Sequence, residues 1–64
     1  MLYEVILVDG LGNKIDVKLV KTNKSEGEMI RCLYGEFKYF SDGFSYFLKD
    51  GNHVDVYRQK YISI

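Results

Sequence analysis

Apolar and polar residues form short blocks along the chain, and small turn-forming residues separate the blocks. Residues 2–8 are rich in β-branched and aromatic side chains and place apolar groups on both faces, which predicts a central strand. Residues 9–13 hold two glycines between an Asp and an Asn, a composition typical of a turn. The chain therefore opens with a strand followed by a hairpin turn.

Residues 14–21 alternate cleanly between charged and apolar side chains. Alternate residues of a strand point to opposite faces of the sheet, so this segment predicts a second strand with one solvated face. The apolar residues that share the other face are Ile15, Val17 and Leu19.

Two readings compete for residues 24–35. Ser25 followed three positions later by Glu28 has capping-box spacing, and Gly35 suits the end of a helix. These features predict a helix of about three turns.

The competing interpretation of the same segment is a strand. Gly27 would lie in the first helical turn, where glycine is unfavourable, and residues 30–34 have β-compatible side chains. That run can continue through Gly35, as a bend or bulge, into residues 36–40. We favour the strand and keep a helix near residues 25–34 as the alternative.

The rest of the chain reads as a succession of hairpins. Turn residues at 41–43 precede a strand over 44–49, and a tight connection at 50–52 leads into a strand over 53–57. Residues 58–60 break the alternating pattern.

The pattern as a whole predicts one mainly β domain spanning residues 1–64. We expect a small antiparallel sheet or open barrel of about five strands, of the size of SH3 and Sm-like domains. A chain of 64 residues buries only roughly 60% of its unfolded surface, so the expected core is small.

Charge, cysteine content and hydropathy limit the partners and the cellular compartment that we expect for the chain. Nine basic residues balance nine acidic ones, so net charge does not steer the chain toward nucleic acid, although residues 14–24 are locally basic. Cys32 is the single cysteine and cannot form an internal disulfide, and no leader segment is evident, which favours the cytoplasm. The longest apolar run, residues 5–8, is far too short to cross a membrane.

Few residues of the chain are candidates for catalysis or metal binding. His53 is the single histidine and has no evident partner nearby, and Cys32 reads as a small core residue. The oxygen-bearing residues at 50–55 lack the central glycine and closing glutamate of a calcium loop. We therefore expect no metal, no cofactor and no enzymatic activity, and an enzyme of unknown type is the least favoured alternative.

The aromatic residues are the feature of the sequence that most clearly indicates a function. The chain has six Tyr and four Phe, and all of them except Tyr3 lie between Tyr34 and Tyr61. Because each ring can bury about 150 to 250 Å², a core this small has a surplus for contact with a protein partner or another copy of the chain. Alternation places Phe47 off the main core face. We expect a self-associating protein-binding module with contact residues Phe40, Phe47, Tyr57 and Tyr61.

The alternative function is binding of single-stranded nucleic acid by a small barrel. Bases stack on exposed aromatic rings while nearby cations contact the phosphates. The residues that could do so are Lys38, Lys49, Tyr57, Arg58, Lys60 and Tyr61.

A composition rich in Lys, Asn, Ile and Tyr is typical of AT-rich bacterial and phage genomes. It suggests a more specific role, a phage-type inhibitor that docks on a host protein or sequesters a nucleotide signal.

Overall fold

Five strands and one helix make up the computed structural model of the chain, which describes residues 1–41 and 43–59. In chain order the elements are β1 (Leu2–Val8), β2 (Lys14–Lys21), α1 (Glu26–Tyr34), β3 (Phe37–Ser41), β4 (Ser45–Leu48) and β5 (His53–Gln59). The strands predicted at 2–8 and 14–21 are confirmed with the same bounds. The break predicted at residues 58–60 is wrong for Arg58 and Gln59, which continue β5.

The strands form one open antiparallel sheet in the order β2-β1-β5-β4-β3. β1 lies inside the sheet, where Val5 pairs with Lys18 of β2 on one side and with Val56 of β5 on the other. Within the described residues, β2 and β3 are the two edges. The mainly β prediction is therefore confirmed, and across residues 1–41 and 43–59 the sheet is open.

Asp9 organises the turn between β1 and β2. The backbone amides of Leu11 and Asn13 each donate to Asp9 Oδ1 at 2.9 Å, and Asn13 Nδ2 donates to Oδ2 at 3.3 Å. These bonds favour the charged carboxylate, so they lower the pKa of Asp9, with the Asn13 amide contributing most. The turn predicted at 9–13 is thus held by its first residue.

Helix α1 has the two ends that the capping signals predict. The Glu28 amide donates to Ser25 Oγ at 3.3 Å, and the Ser25 hydroxyl donates to Glu28 Oε1 at 2.9 Å. Gly35, at φ 86°, donates its amide to the Arg31 carbonyl at 3.0 Å. The preference for a strand over residues 30–34 is therefore wrong. Both helix ends are satisfied locally, and Met29 and Ile30 bury against the sheet.

Replacing Ser25 by Ala removes this N-terminal cap. We expect the free energy of unfolding to fall by about 1 kcal/mol, because the Glu28 amide loses its acceptor. Urea denaturation followed by circular dichroism measures the change. Asn23→Ala is the control, since Asn23 is exposed and precedes the cap, and it should shift stability by less than about 0.5 kcal/mol. Equal losses in both variants would contradict the capping role.

The core lies between α1 and one face of the sheet. Its deepest residues are Val5 on β1, Ile30 on α1 and Val54 on β5, each 0% exposed. Tyr46 lies in the same cluster, and its hydroxyl donates to Glu26 Oε1 at 2.8 Å, which ties β4 to the start of the helix. The remaining members are Tyr3, Met29, Leu48 and Val56.

Cys32 is exposed, so its prediction as a core residue is wrong. The prediction followed its apolar neighbours along the chain, whereas the helix turns it outward. Met29 and Ile30 face the sheet, and Cys32 follows Ile30 by about 200° around the helix axis.

A membrane-spanning helix needs about 20 predominantly apolar residues. In the part of the chain that the structure describes, no helix has the length and apolar character to cross a membrane.

Candidate functional site

The face of the sheet opposite α1 carries a large share of the exposed apolar surface. Directly paired residues of antiparallel strands point to the same face, so the register assigns every side chain. Tyr3 and Val5 of β1 face α1, whereas Ile6 and Val8 lie on the opposite face, which we term the open face. Its other members are Leu2 and Glu4 on β1, Lys14, Val17, Leu19 and Lys21 on β2, Tyr39 and Ser41 on β3, Ser45 and Phe47 on β4, and His53, Asp55, Tyr57 and Gln59 on β5.

The aliphatic side chains of β2 extend this face to the edge of the sheet. Val17 pairs with Ile6 and is 49% exposed, and Leu19 pairs with Glu4 and is 69% exposed. Ile15, the extra residue of a β-bulge, precedes them and is 53% exposed. The prediction that only the charged face of β2 is solvated is therefore wrong, because its apolar side chains are exposed as well.

Asp16 and Lys18 of β2 lie on the side of the sheet that carries α1, whereas Lys14 and Lys21 lie on the open face. Lys18 Nζ lies 3.7 Å from Asp16 Oδ2 and 5.4 Å from the centroid of the Tyr34 ring. Burial of Tyr34, and to a smaller extent the Asp16 charge, raises the pKa of its hydroxyl. At the β2 edge of the sheet, the side that carries α1 thus ends in the Asp16–Lys18 ion pair and the Tyr34 ring.

The width of the helix explains this arrangement. Five strands spaced about 4.8 Å apart make a sheet roughly 24 Å wide, whereas one helix with its side chains is about 10–12 Å across. α1 cannot cover every strand on its own side, and β2 lies at the edge. Charged residues suit the uncovered edge of that side, and alternation then directs the aliphatic residues of β2 to the open face.

An aromatic row crosses the open face on the other half of the sheet. The rings of Tyr39 and Phe47 stack with centroids 4.7 Å apart and planes inclined by 12°. Phe47 also lies 5.2 Å from the His53 ring, and His53 pairs with Val8 of β1. An apolar band therefore runs from β3 across β4 and β5 to β1.

A small polar cluster sits beside this band. The Ser45 hydroxyl donates to Asp55 Oδ1 at 2.7 Å, and His53 Nε2 lies 3.5 Å from the same oxygen. A hydrolytic triad needs the imidazole between the hydroxyl and the carboxylate, so that it can take the hydroxyl proton. Here the carboxylate occupies the middle position, so the cluster orients His53 and gives the half-buried Asp55 a hydrogen-bond donor without activating Ser45.

The residues predicted for protein contact lie on different faces of the sheet. Phe47 and Tyr57 share the open face, and Tyr57 is 41% exposed with its ring 5.5 Å from that of Phe44. Phe40 pairs with the core residue Tyr46, so it belongs to the face that carries α1, where it is 46% exposed. Tyr61 lies outside the described residues.

The residues predicted for nucleic-acid contact are also divided. Tyr57 lies on the open face, whereas Arg58 pairs with Tyr3 and points to the side of α1. Lys38 is the extra residue of a bulge in β3, and Lys49 follows the end of β4; both are exposed. Lys60 and Tyr61 lie outside the described residues. Tyr57 and Arg58 thus cannot contact a base and its phosphate on one face.

Sequence reasoning missed Val17, Leu19 and Tyr39 as surface residues. The alternation in β2 was visible, but it does not state which side of the strand is covered. Leu11, at the tip of the β1–β2 turn and 89% exposed, was likewise read only as a turn residue.

Metal ligands do not cluster in the described ranges 1–41 and 43–59, where no group of three or more His, Cys, Asp or Glu residues could hold a metal ion. Comparison of the chain with protein-family models, with curated proteins and with solved structures finds no match.

Proposed function

We propose that this chain is a small, non-enzymatic protein-binding module whose open face is the binding surface. The observation that carries the proposal is the exposure of Val17 and Leu19 on β2, beside the aromatic row of β3, β4 and β5. Isolated exposed apolar residues are ordinary, but here exposed side chains lie on both sides of the buried Ile6 and Val8 of one sheet face, and grouped exposure of this kind is typical of an interface.

The size of the open face suits such a role. A sheet about 24 Å wide, with strands of four to eight residues and a rise of about 3.3 Å per residue, presents a footprint of roughly 500 Å². The largest apolar patches of monomeric proteins are about 300 to 600 Å², and these are often functional. The open face therefore provides enough area for a modest protein interface.

Its chemistry also favours a protein over a polyanion. Tyr39 and Tyr57 supply large, rigid contact area, which interfaces favour. The ionisable side chains that the register places on this face are Glu4, Lys14, Lys21, His53 and Asp55, so two carboxylates balance two ammonium groups. A face with balanced charge does not attract a polyanion, so nucleic-acid binding is the less favoured function.

The proposal includes a cytoplasmic location and, more narrowly, a phage-type inhibitor that docks on a host protein or sequesters a nucleotide signal. The exposed free thiol of Cys32 supports a reducing compartment. The inhibitor role is supported by composition alone.

Photo-crosslinking tests the binding surface directly. We expect p-benzoylphenylalanine at Tyr57 to give discrete covalent adducts on illumination in the cells that make the protein. The same group at Cys32, which is exposed on the outer side of α1, is the matched control and should give none. Mass spectrometry then identifies the adducts.

The outcomes separate the candidate functions. A protein adduct at position 57 that is missing at position 32 supports the proposal. Equal labelling at both positions, or no discrete adduct at position 57, contradicts it. Binding of single-stranded RNA or DNA that weakens steeply with salt, measured by fluorescence anisotropy, would instead support the nucleic-acid alternative.

A further inference from the structure

Strand β2 presents a long pairing edge. Within the described part of the chain it pairs with β1 alone, and its eight residues contain no proline. The outer edge of such a strand carries backbone donors and acceptors that can pair with another strand. Lysines usually protect an edge of this kind against association, and β2 has Lys14, Lys18 and Lys21. Asp16 is the acidic residue among them.

We propose that two copies of the chain associate by antiparallel pairing of β2 with β2, about a two-fold axis that passes through Val17. The pairing makes one continuous sheet of ten strands, with both helices on the same side. The inference deepens the proposed function and rests on it, since it names a second copy as the occupant of the β2 end of the binding surface.

Charge complementarity on the helix side selects this register. With the axis at Val17, Asp16 lies opposite the partner's Lys18, and Lys18 lies opposite the partner's Asp16. Two symmetric cross-strand ion pairs result, and opposite charges that face each other across strands stabilise a sheet. The Asp16 and Lys18 side chains are 48% and 43% exposed, so they are accessible to a partner.

The open face is equally well matched in this register. Val17 lies opposite the partner's Val17, and Ile15 opposite the partner's Leu19, so only aliphatic side chains meet. β-branched pairs of this kind are favourable across strands. The association therefore joins the two exposed aliphatic stripes into one apolar band across the dimer.

Neighbouring registers fail this test. An axis at Asp16 places two carboxylates opposite each other, and an axis at Lys18 does the same with two ammonium groups. An axis between two residues pairs side chains of opposite faces, so Val17 would meet the partner's Lys18 or Asp16. The sequence of β2 thus admits one symmetric register with complementary charges and matched apolar residues.

The interface is small, because it consists of one strand from each copy. It belongs to the lower end of interface sizes, so we expect a dimer that dissociates on dilution rather than an obligate one. The bulge at Ile15 limits the regular pairing to the residues around Val17.

Engineered cysteines test the register. In a Cys32→Ser background, Val17→Cys should form an intermolecular disulfide under mild oxidation, because residues opposite each other across the axis have Cα atoms about 4.5 to 5.5 Å apart. Leu19→Cys is the matched control. It lies on the same strand and face, but its Cα would be about 14 Å from the partner's Leu19 Cα, too far for a disulfide.

Charge exchange tests the same register without oxidation. Asp16→Lys and Lys18→Asp each place like charges opposite each other, and we expect either variant alone to dimerise about tenfold or more weakly than the original chain in sedimentation equilibrium. An equimolar mixture of the two should form a heterodimer of near-original affinity, because opposite charges face each other again.

The results distinguish this inference from the proposed function. Cross-linking at position 17 but not at 19, together with rescue in the mixture, supports the β2 dimer. A chain that stays monomeric at millimolar concentration, equal cross-linking at 17 and 19, or no rescue overturns it. The adduct at Tyr57 on β5 is an independent measurement, so the dimer can fail while the protein-binding function stands, or the reverse.

Discussion

Replacing Ile30 by Ala is expected to leave the chain largely unfolded at room temperature. Ile30 is fully buried and joins α1 to the central strands, so its truncation removes buried surface and leaves a cavity that costs about 2–5 kcal/mol. A domain of this size rarely has more than about 3–5 kcal/mol of stability from its core. The loss of one side chain therefore approaches the whole free energy of unfolding.

Urea denaturation and thermal melting by circular dichroism measure this loss. Cys32→Ala is the matched control, since it lies two residues along the same helix, is exposed, and gains slightly in helix propensity. It should alter stability by less than about 0.5 kcal/mol. If Ile30→Ala melts with the original chain, the packing of α1 on the sheet is not the main source of stability.

The order of strands and turns could be predicted from the sequence because its signals are local. Apolar residues on both faces identified β1 and alternation identified β2, each with its bounds, and Asp9 with its glycines identified the turn between them. The helix was harder, because propensity over residues 30–34 favours a strand. The cap at Ser25 and the burial of Ile30 outweigh that preference, and the second of these depends on a sheet that local sequence does not display.

The sequence could not predict which face of each strand is covered, because alternation separates the side chains into two faces without saying which of the two is buried. For β2 the expectation of one solvated face was wrong, since α1 covers little of this edge strand. Val17 and Leu19 are consequently exposed, and they became the main evidence for a binding surface. The order β2-β1-β5-β4-β3 was the missing information, and it arises from the long-range pairing of β1 with β5.

Attention to which residues of one strand share a face would have improved the prediction of the site. Tyr57 and Arg58 are neighbours on β5, so they must point to opposite faces, and a platform that needs both was excluded by alternation alone. The expectation that the chain has more aromatic residues than its core can bury agrees with the structure. Tyr39, Phe40, Phe44 and Tyr57 are all exposed, so the core leaves several rings available for contact.

Alkaline pH is expected to unfold the chain through Tyr46. Burial, and next the hydrogen bond to the Glu26 carboxylate, raise the pKa of Tyr46 far above its ordinary value of 10. The folded state therefore keeps the phenol protonated at a pH at which the unfolded chain releases its proton. The stabilisation is complete below pH 10 and is lost as the pH rises from there toward the folded pKa, by about 1.4 kcal/mol for each pH unit.

Urea denaturation at a series of pH values between 8 and 12 measures this slope. Tyr46→Phe should lower stability by about 1 kcal/mol at pH 8, because the hydrogen bond to Glu26 is lost, and it should flatten the alkaline slope. Glu26→Gln keeps an acceptor for the Tyr46 hydroxyl but removes the charge, so its slope should lie between those of the original chain and Tyr46→Phe. An alkaline slope that Tyr46→Phe leaves unchanged would show that another group unfolds the protein, and that the buried link between β4 and α1 does not govern its response to pH.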